Sequence, residues 1–276
     1  MKHAPILVFW LLSNVLLAQD KLEYGNPISE IKLNNLDLVS LDTRDQIFVS
    51  NATGDVYLFN KSGKQLNLFS PTRQARIHQL EASWTVNIFT FSADLQAYRI
   101  MDRFLNPIAE NSLLINTITL PKAATLGNNN IIWIWDESDL SLKSLDYLRN
   151  IIIQSQPLNL ILNSVDLKVT EIREFKNRLF MNVPTTGIFI FDNQGNFIQK
   201  ADLQFDQRMC FYNEHLFWVD GENLKMYSIS TKVVTDLGPT PVKGIESVQI
   251  GREIITFVVK NGINVYVLPE SLNRLK

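Results

Sequence analysis

Two short apolar runs separated by turn residues set the rhythm of the chain. Ile47-Phe48-Val49 is followed by the break Asn51-Ala52-Thr53-Gly54-Asp55 and then by Val56-Tyr57-Leu58-Phe59. β-Branched and aromatic residues on either side of such a break predict strand, tight loop, strand. Asn60-Lys61-Ser62-Gly63 offers a second turn, in which Gly63 can take a positive φ without a Cβ clash, and Gln65 to Phe69 resumes the extended pattern. The stretch predicts a three-stranded meander.

The meander recurs. Its first run is matched by Ile88-Phe89-Thr90, Ile132-Trp133-Ile134, Leu179-Phe180-Met181, Leu216-Phe217-Trp218 and Ile255-Thr256-Phe257, at intervals of 37 to 47 residues. The second run follows in step, with Tyr57, Tyr98, Phe189, Tyr227 and Tyr266 each 10 or 11 residues after its anchor and Lys143 in that place in the third unit. A shorter strand precedes the anchors, as in Leu38 to Leu41, Ile77 to Leu80 and Ile245 to Val248. A fourth follows, as in Gln65 to Phe69, Pro107 to Glu110, Ile151 to Gln154, Phe197 to Lys200 and Val233 to Leu237. Four antiparallel strands every ~40 residues predict an all-β, six-bladed β-propeller. The sixth unit ends at Leu268 without an outer strand. Asn26-Pro27-Ile28-Ser29-Glu30 closely repeats Asn106-Pro107-Ile108-Ala109-Glu110 from the second unit, so the N-terminal segment is expected to complete the last blade and leave no long edge open.

Residues 1–19 do not share the pattern. Lys2 and His3 precede an apolar stretch from Ala4 to Leu17, too short to span a bilayer, and Ala18 offers a cleavage point. Residues 1–19 are therefore expected to be a secretory signal peptide and 20–276 a single propeller domain, secreted or periplasmic. Without the one Lys of that leader, 25 basic residues face 28 acidic ones, a net charge of −3 that gives no general attraction for nucleic acid. Cys210 is the only cysteine, so no intramolecular disulfide can form and stability must come from the core. A monomer is expected.

"IFVSNATGDVYLFNKSG" resembles the NHL-type repeat: an apolar strand, a short Asp/Asn-Gly loop, a strand ending in Phe-Asp/Asn, and a turn closed by Gly. "IFIFDNQGNFIQK", from Ile188, repeats the second half of the pattern. Propellers of that superfamily include binding platforms, scaffolds and enzymes, so the resemblance implies a fold and leaves the function open. Six-bladed lactonases and related esterases of this shape hold a Ca2+ at the channel mouth.

Two groups of residues are candidates for a site. The loops between second and third strands carry Asp136, Asp139 and Asp220, with Glu137 and Glu222, hard oxygen ligands of the kind Ca2+ takes, and equally ordinary turn residues. No cofactor is called for beyond such a Ca2+. The inner strands carry Arg76, His78, Glu171, Arg173, Arg208 and Glu246, able to face the channel or to pair between blades. His78 and His215 belong to different units and do not make a zinc spacing. No Gly-x-Ser-x-Gly elbow occurs, and Cys210 reads as a buried, inert thiol. Trp84, Trp133, Trp135 and Trp218 are expected in the core, with a sugar-stacking platform as the rival use. The expected function is a binding or scaffolding module for protein or peptide partners. The alternatives are a Ca2+-dependent hydrolase of a small ester or lactone at the channel mouth, and a cell-surface glycan-binding protein.

Overall fold

A computed structural model describes residues 22–82, 86–162 and 167–275. The expected signal peptide and Trp84 lie outside these residues. Six four-stranded antiparallel sheets are arranged around a channel. Blade 1 consists of β2 (Leu36–Leu41), β3 (Ile47–Asn51), β4 (Val56–Phe59) and β5 (Gln65–Phe69), and blade 2 of β6 (Gln79–Glu81), β7 (Asn87–Ser92), β8 (Ala97–Asp102) and β9 (Pro107–Ser112). Blade 3 takes β10 (Pro121–Leu126), β11 (Ile131–Asp136), β12 (Ser141–Asp146) and β13 (Ile151–Pro157), and blade 4 takes β14 (Glu171–Phe175), β15 (Arg178–Val183), β16 (Gly187–Asp192) and β17 (Phe197–Ala201). Blade 5 has β18 (Cys210–Tyr212), β19 (His215–Asp220), β20 (Asn223–Ser228) and β21 (Val234–Pro239). In blade 6, β22 (Ile245–Ile250), β23 (Ile254–Val259) and β24 (Gly262–Val267) are completed by the N-terminal β1 (Ser29–Lys32), which pairs Ile31 with Ile263. The expected ring closure is thus present, and each repeat unit of the sequence coincides with a blade.

Burial follows the repeat. The second strands are almost wholly buried, whereas the outer strands alternate or face solvent, as β13 does. Apolar side chains on both faces of the middle strands make one core cluster per blade junction. Phe48, Leu58, Leu80 and Ile88 join blades 1 and 2, and Val39, Ile47, Ile31 and Ile263 join blades 6 and 1. Trp133 and Trp135 fill the junction of blades 3 and 4, and Trp218 stacks on Phe205 between blades 4 and 5. A sugar platform built on these three tryptophans is therefore excluded: their rings are packed between sheets, where a glycan cannot reach.

The Phe-Asn/Asp turns have a plain cause. Asn60 Oδ1 accepts from the amides of Ser62 and Lys64, Asp102 Oδ1 from Phe104 and Asn106, and Asp192 Oδ1 from Gln194 and Asn196. A carboxylate or amide oxygen that gathers two amides fixes the turn between third and fourth strands. Just beyond it, blades 1 to 4 each carry a bulge, so that Leu66, Ile108, Ile153 and Ile198 have no partner in the ladder. All four are exposed. A bulge at each rim breaks the flat edge that would otherwise invite another strand.

Candidate functional site

The inner strands all begin on one face of the ring. There the starts of blades 1, 2, 4, 5 and 6 enclose a cavity of about 310 Å³, lined by Asp37, Arg76, Glu171, Asp206, Gln207, Arg208 and Glu246 among others. Of the residues expected at a site, Arg76, Glu171, Arg208 and Glu246 come together here. His78 sits beside the cavity without lining it. Its Nδ1 accepts from the Ala93 amide and its Nε2 faces Asp94 Oδ1 at 3.9 Å; burial lowers its pKa, with the Arg76 and Arg208 charges adding to that and Asp94 opposing it.

Asp136, Asp139 and Asp220 do not line the cavity. Asp136 and Asp220 end the second strands of blades 3 and 5 and Asp139 lies in the turn that follows Asp136, one strand further from the axis than the channel wall. Lys143 bridges Asp136 Oδ2 at 2.6 Å and Asp139 Oδ2 at 2.8 Å, while Asp136 also accepts from the amides of Thr119, Leu120 and Ser138. Burial raises the Asp136 carboxyl, but these hydrogen bonds, Lys143's first, outweigh it and the net shift is downward. Asp220 pairs with Lys225 at 2.5 Å. Lys143 thus explains the one unit whose second run lacked an aromatic: it is the counterion of a buried aspartate. Among the described residues, no three His, Cys, Asp or Glu side chains are grouped so that they could hold a metal ion. Cys210 is buried, and burial pushes its thiol up to about 12, which leaves it neutral and unreactive.

The floor of the cavity is a connected polar network. Glu171, only 2% exposed, accepts from the Met209 amide at 2.8 Å and lies 3.9 Å from Arg173 Nη1. Gln79 Nε2 donates to Glu81 Oε1 at 2.6 Å, and Thr125 Oγ1 and the Leu126 amide also donate to the Glu81 carboxylate. Burial raises the Glu81 carboxyl, against the nearby positive charge of Arg173 and these hydrogen bonds. Buried charges held this way are structural: removing one partner leaves the other desolvated and unpaired.

The rim is different. Arg76 is tied to Asp37 of blade 1 by a bidentate pair, Nε to Oδ2 and Nη2 to Oδ1, both at 2.8 Å. Arg208 is half-buried and, among the described residues, has no ion pair; its one hydrogen bond is Nη1 donating to Gln79 Oε1 at 3.4 Å. Asp206 and Glu246 are exposed and have no partner there. Asp37 and Asp206 escaped the sequence reading. Asp37 is the second residue of β2, as Glu246 is of β22, and Asp206 precedes β18 by four residues much as Arg76 precedes β6 by three, so the entry to each inner strand was where the signal lay.

Fold and site together define a six-bladed propeller with a charged, floored channel mouth. The comparisons agree on the fold. The chain matches the WD40 domain of Neurospora crassa Pan2 with a TM-score of 0.59 at 9% identity, covering 85% of this chain and 79% of that one. It matches virginiamycin B lyase from Staphylococcus aureus with a TM-score of 0.57 at 12% identity, over 87% and 98% of the two chains. PorZ, a surface component of the type-IX secretion system of Porphyromonas gingivalis, matches with a TM-score of 0.56 at 10% identity, over 90% of this chain and 39% of PorZ. No family model matches, and no curated protein does. The propeller is therefore established, while the NHL-type likeness stays a likeness of motif. No helix among the described residues is long and apolar enough to cross a membrane.

Proposed function

We propose that this protein is an exported binding module that receives a protein or peptide partner at the mouth of its channel. One observation carries the reading: a cavity of about 310 Å³, walled by five blades, exposes charged groups that the fold itself leaves without partners. A propeller built only for rigidity has no use for a half-buried guanidinium without an ion pair at the mouth of its channel. Export rests on the leader-like residues 1–19.

The test is capture on the purified chain beside a triple variant, Arg208→Gln, Asp206→Asn and Glu246→Gln. Wild type is expected to retain a partner that the variant loses. Identical partners on both would place binding elsewhere on the ring. The hydrolase alternative predicts something else. Asp136 and Asp220 already have lysine counterions, so millimolar Ca2+ is expected to leave the thermal midpoint unchanged. A dose-dependent rise that disappears in Asp220→Asn would restore that alternative, because a ligand of the native state alone must raise the midpoint.

A further inference from the structure

The charges at the mouth are not interchangeable, and their placement selects a ligand. Of the lining groups, Asp37 and Arg76 neutralise each other in a bidentate pair, and Glu171 is held by the Met209 amide with Arg173 beside it. What remains is one half-buried guanidinium, Arg208, which also lines the narrow crevice that continues the cavity inward, and two exposed carboxylates, Asp206 and Glu246. Gln79, the only partner of Arg208 among the described residues, is a neutral amide at 3.4 Å, at the outer limit of a hydrogen bond. A guanidinium in partial burial gains most from a carboxylate, which it can grip with two parallel N–H donors. The rim carboxylates, in contrast, repel a bare anion and favour one that brings a cation with it.

We infer that the mouth binds a zwitterionic peptide element, a carboxylate seated against Arg208 with an ammonium or guanidinium group a residue or two away, facing Asp206 and Glu246. This rests on the binding reading above and names its ligand. The carboxylate has two sources, an acidic side chain or a free chain end. The cavity lies at the lower end of the roughly 300–1,000 Å³ range of ligand pockets, room for a short peptide element and not for a folded partner.

Calorimetric titration of the purified chain with defined tripeptides decides the matter. The probes are N-acetylated and C-amidated Lys-Ala-Asp, Ala-Ala-Asp and Lys-Ala-Ala, with N-acetyl Lys-Ala-Ala carrying a free C-terminal carboxylate. The expected order puts Lys-Ala-Asp, or the free-ended Lys-Ala-Ala, roughly tenfold or more above the two singly charged amides, as one desolvated charge-assisted contact would give. Whichever of the two leads identifies the carboxylate's source. Arg208→Gln should erase that preference, and Glu246→Gln with Asp206→Asn should bring Ala-Ala-Asp level with Lys-Ala-Asp. Stronger binding of amidated Lys-Ala-Ala than of either zwitterion, unchanged in Arg208→Gln, would overturn the zwitterion assignment while leaving a binding mouth. No tripeptide bound by wild type, together with partner capture insensitive to the mouth variants, would overturn both.

Discussion

Carboxylates stand at the blade junctions on both faces of the ring, and they do opposite things. On the face away from the mouth, Asp45 of blade 1 is buried and accepts from the amides of Arg252 and Glu253 in blade 6, at 2.6 and 2.9 Å. Glu174 of blade 4 accepts in the same way from the Asn128 amide of blade 3 and from Trp133 Nε1. The approach is close: a Cβ on Gly251 would lie 2.1 Å from Asp45 Oδ1, and one on Gly127 2.1 Å from Glu174 Oε2, so a side chain at either glycine would push the carboxylate out of place. At the mouth, Asp206 and Glu246 accept from nothing among the described residues. The first pair are clasps that hold neighbouring blades together. The ring leaves the second pair without a partner among the described residues, and on the binding reading proposed above this is what separates charge that holds the blades from charge that meets a ligand.

The sharpest way to break the clasped face is to remove what it closes. Deleting residues 25–32 takes away β1 with the buried Ile31 and bares the edge of β24. The expected loss is several kcal/mol, read as a fall of the thermal midpoint by roughly 10 °C, since about 1 kcal/mol corresponds to 2–4 °C at this size. Deleting 271–275 should cost less. It removes one buried side chain, Leu272, and the contacts of Asn273 and Leu275 with blade 5.

A smaller effect is expected for the clasps singly. Asp45→Ala leaves two inter-blade amides without their acceptor and should cost about 1–3 kcal/mol by denaturant unfolding. No loss would mean that water replaces the carboxylate and that apolar packing alone closes the ring.

The buried carboxyls also set a pH dependence. Burial raises Asp45, Glu81 and Glu174. A raised folded-state value means that the native state holds the proton more tightly. The associated stability is complete below the ordinary carboxylate value, about 4.3 for glutamate, and is lost as pH rises through the folded value. The contribution of these three groups should therefore weaken as pH rises above that point, opposed by lowered carboxyls such as Asp136, and Glu81→Gln should remove its share, leaving the variant less destabilised by rising pH than wild type. An unchanged slope in the variant would remove Glu81 as its source.

The mouth variants Arg208→Gln and Glu246→Gln should change stability by no more than about 0.5 kcal/mol, the usual range for surface changes away from structural features. Their effect belongs to binding, and should shrink as salt screens the rim carboxylates.

Most of this ring is legible in the chain. Recurring apolar runs, Gly- and Asn-rich turns and the Asn-Pro-Ile repeat were enough to place the blades and their closure, because each strand buries its own local pattern. Blade junctions are a different matter. That Lys143 serves Asp136, or that Asp45 reaches residues more than 200 positions away, depends on which blades meet, and no local pattern records it. The mouth falls between these cases. Arg76, Glu171, Arg208 and Glu246 were readable as inner-strand charges, but the acidic turns drew attention to Asp136 and Asp220, which end second strands and so stand one strand outside the channel wall. Which charge is paired and which is free could only come from the assembled ring.

The most direct test of that distinction is the thermal midpoint of wild type and Arg208→Gln, each with and without a saturating zwitterionic tripeptide, whichever of capped Lys-Ala-Asp and free-ended N-acetyl Lys-Ala-Ala binds wild type more tightly. If Arg208 is held for a ligand, the two free proteins melt together and only wild type rises when the peptide is added. If Arg208 is a structural charge, the variant melts lower on its own, and the peptide raises both by the same amount or neither.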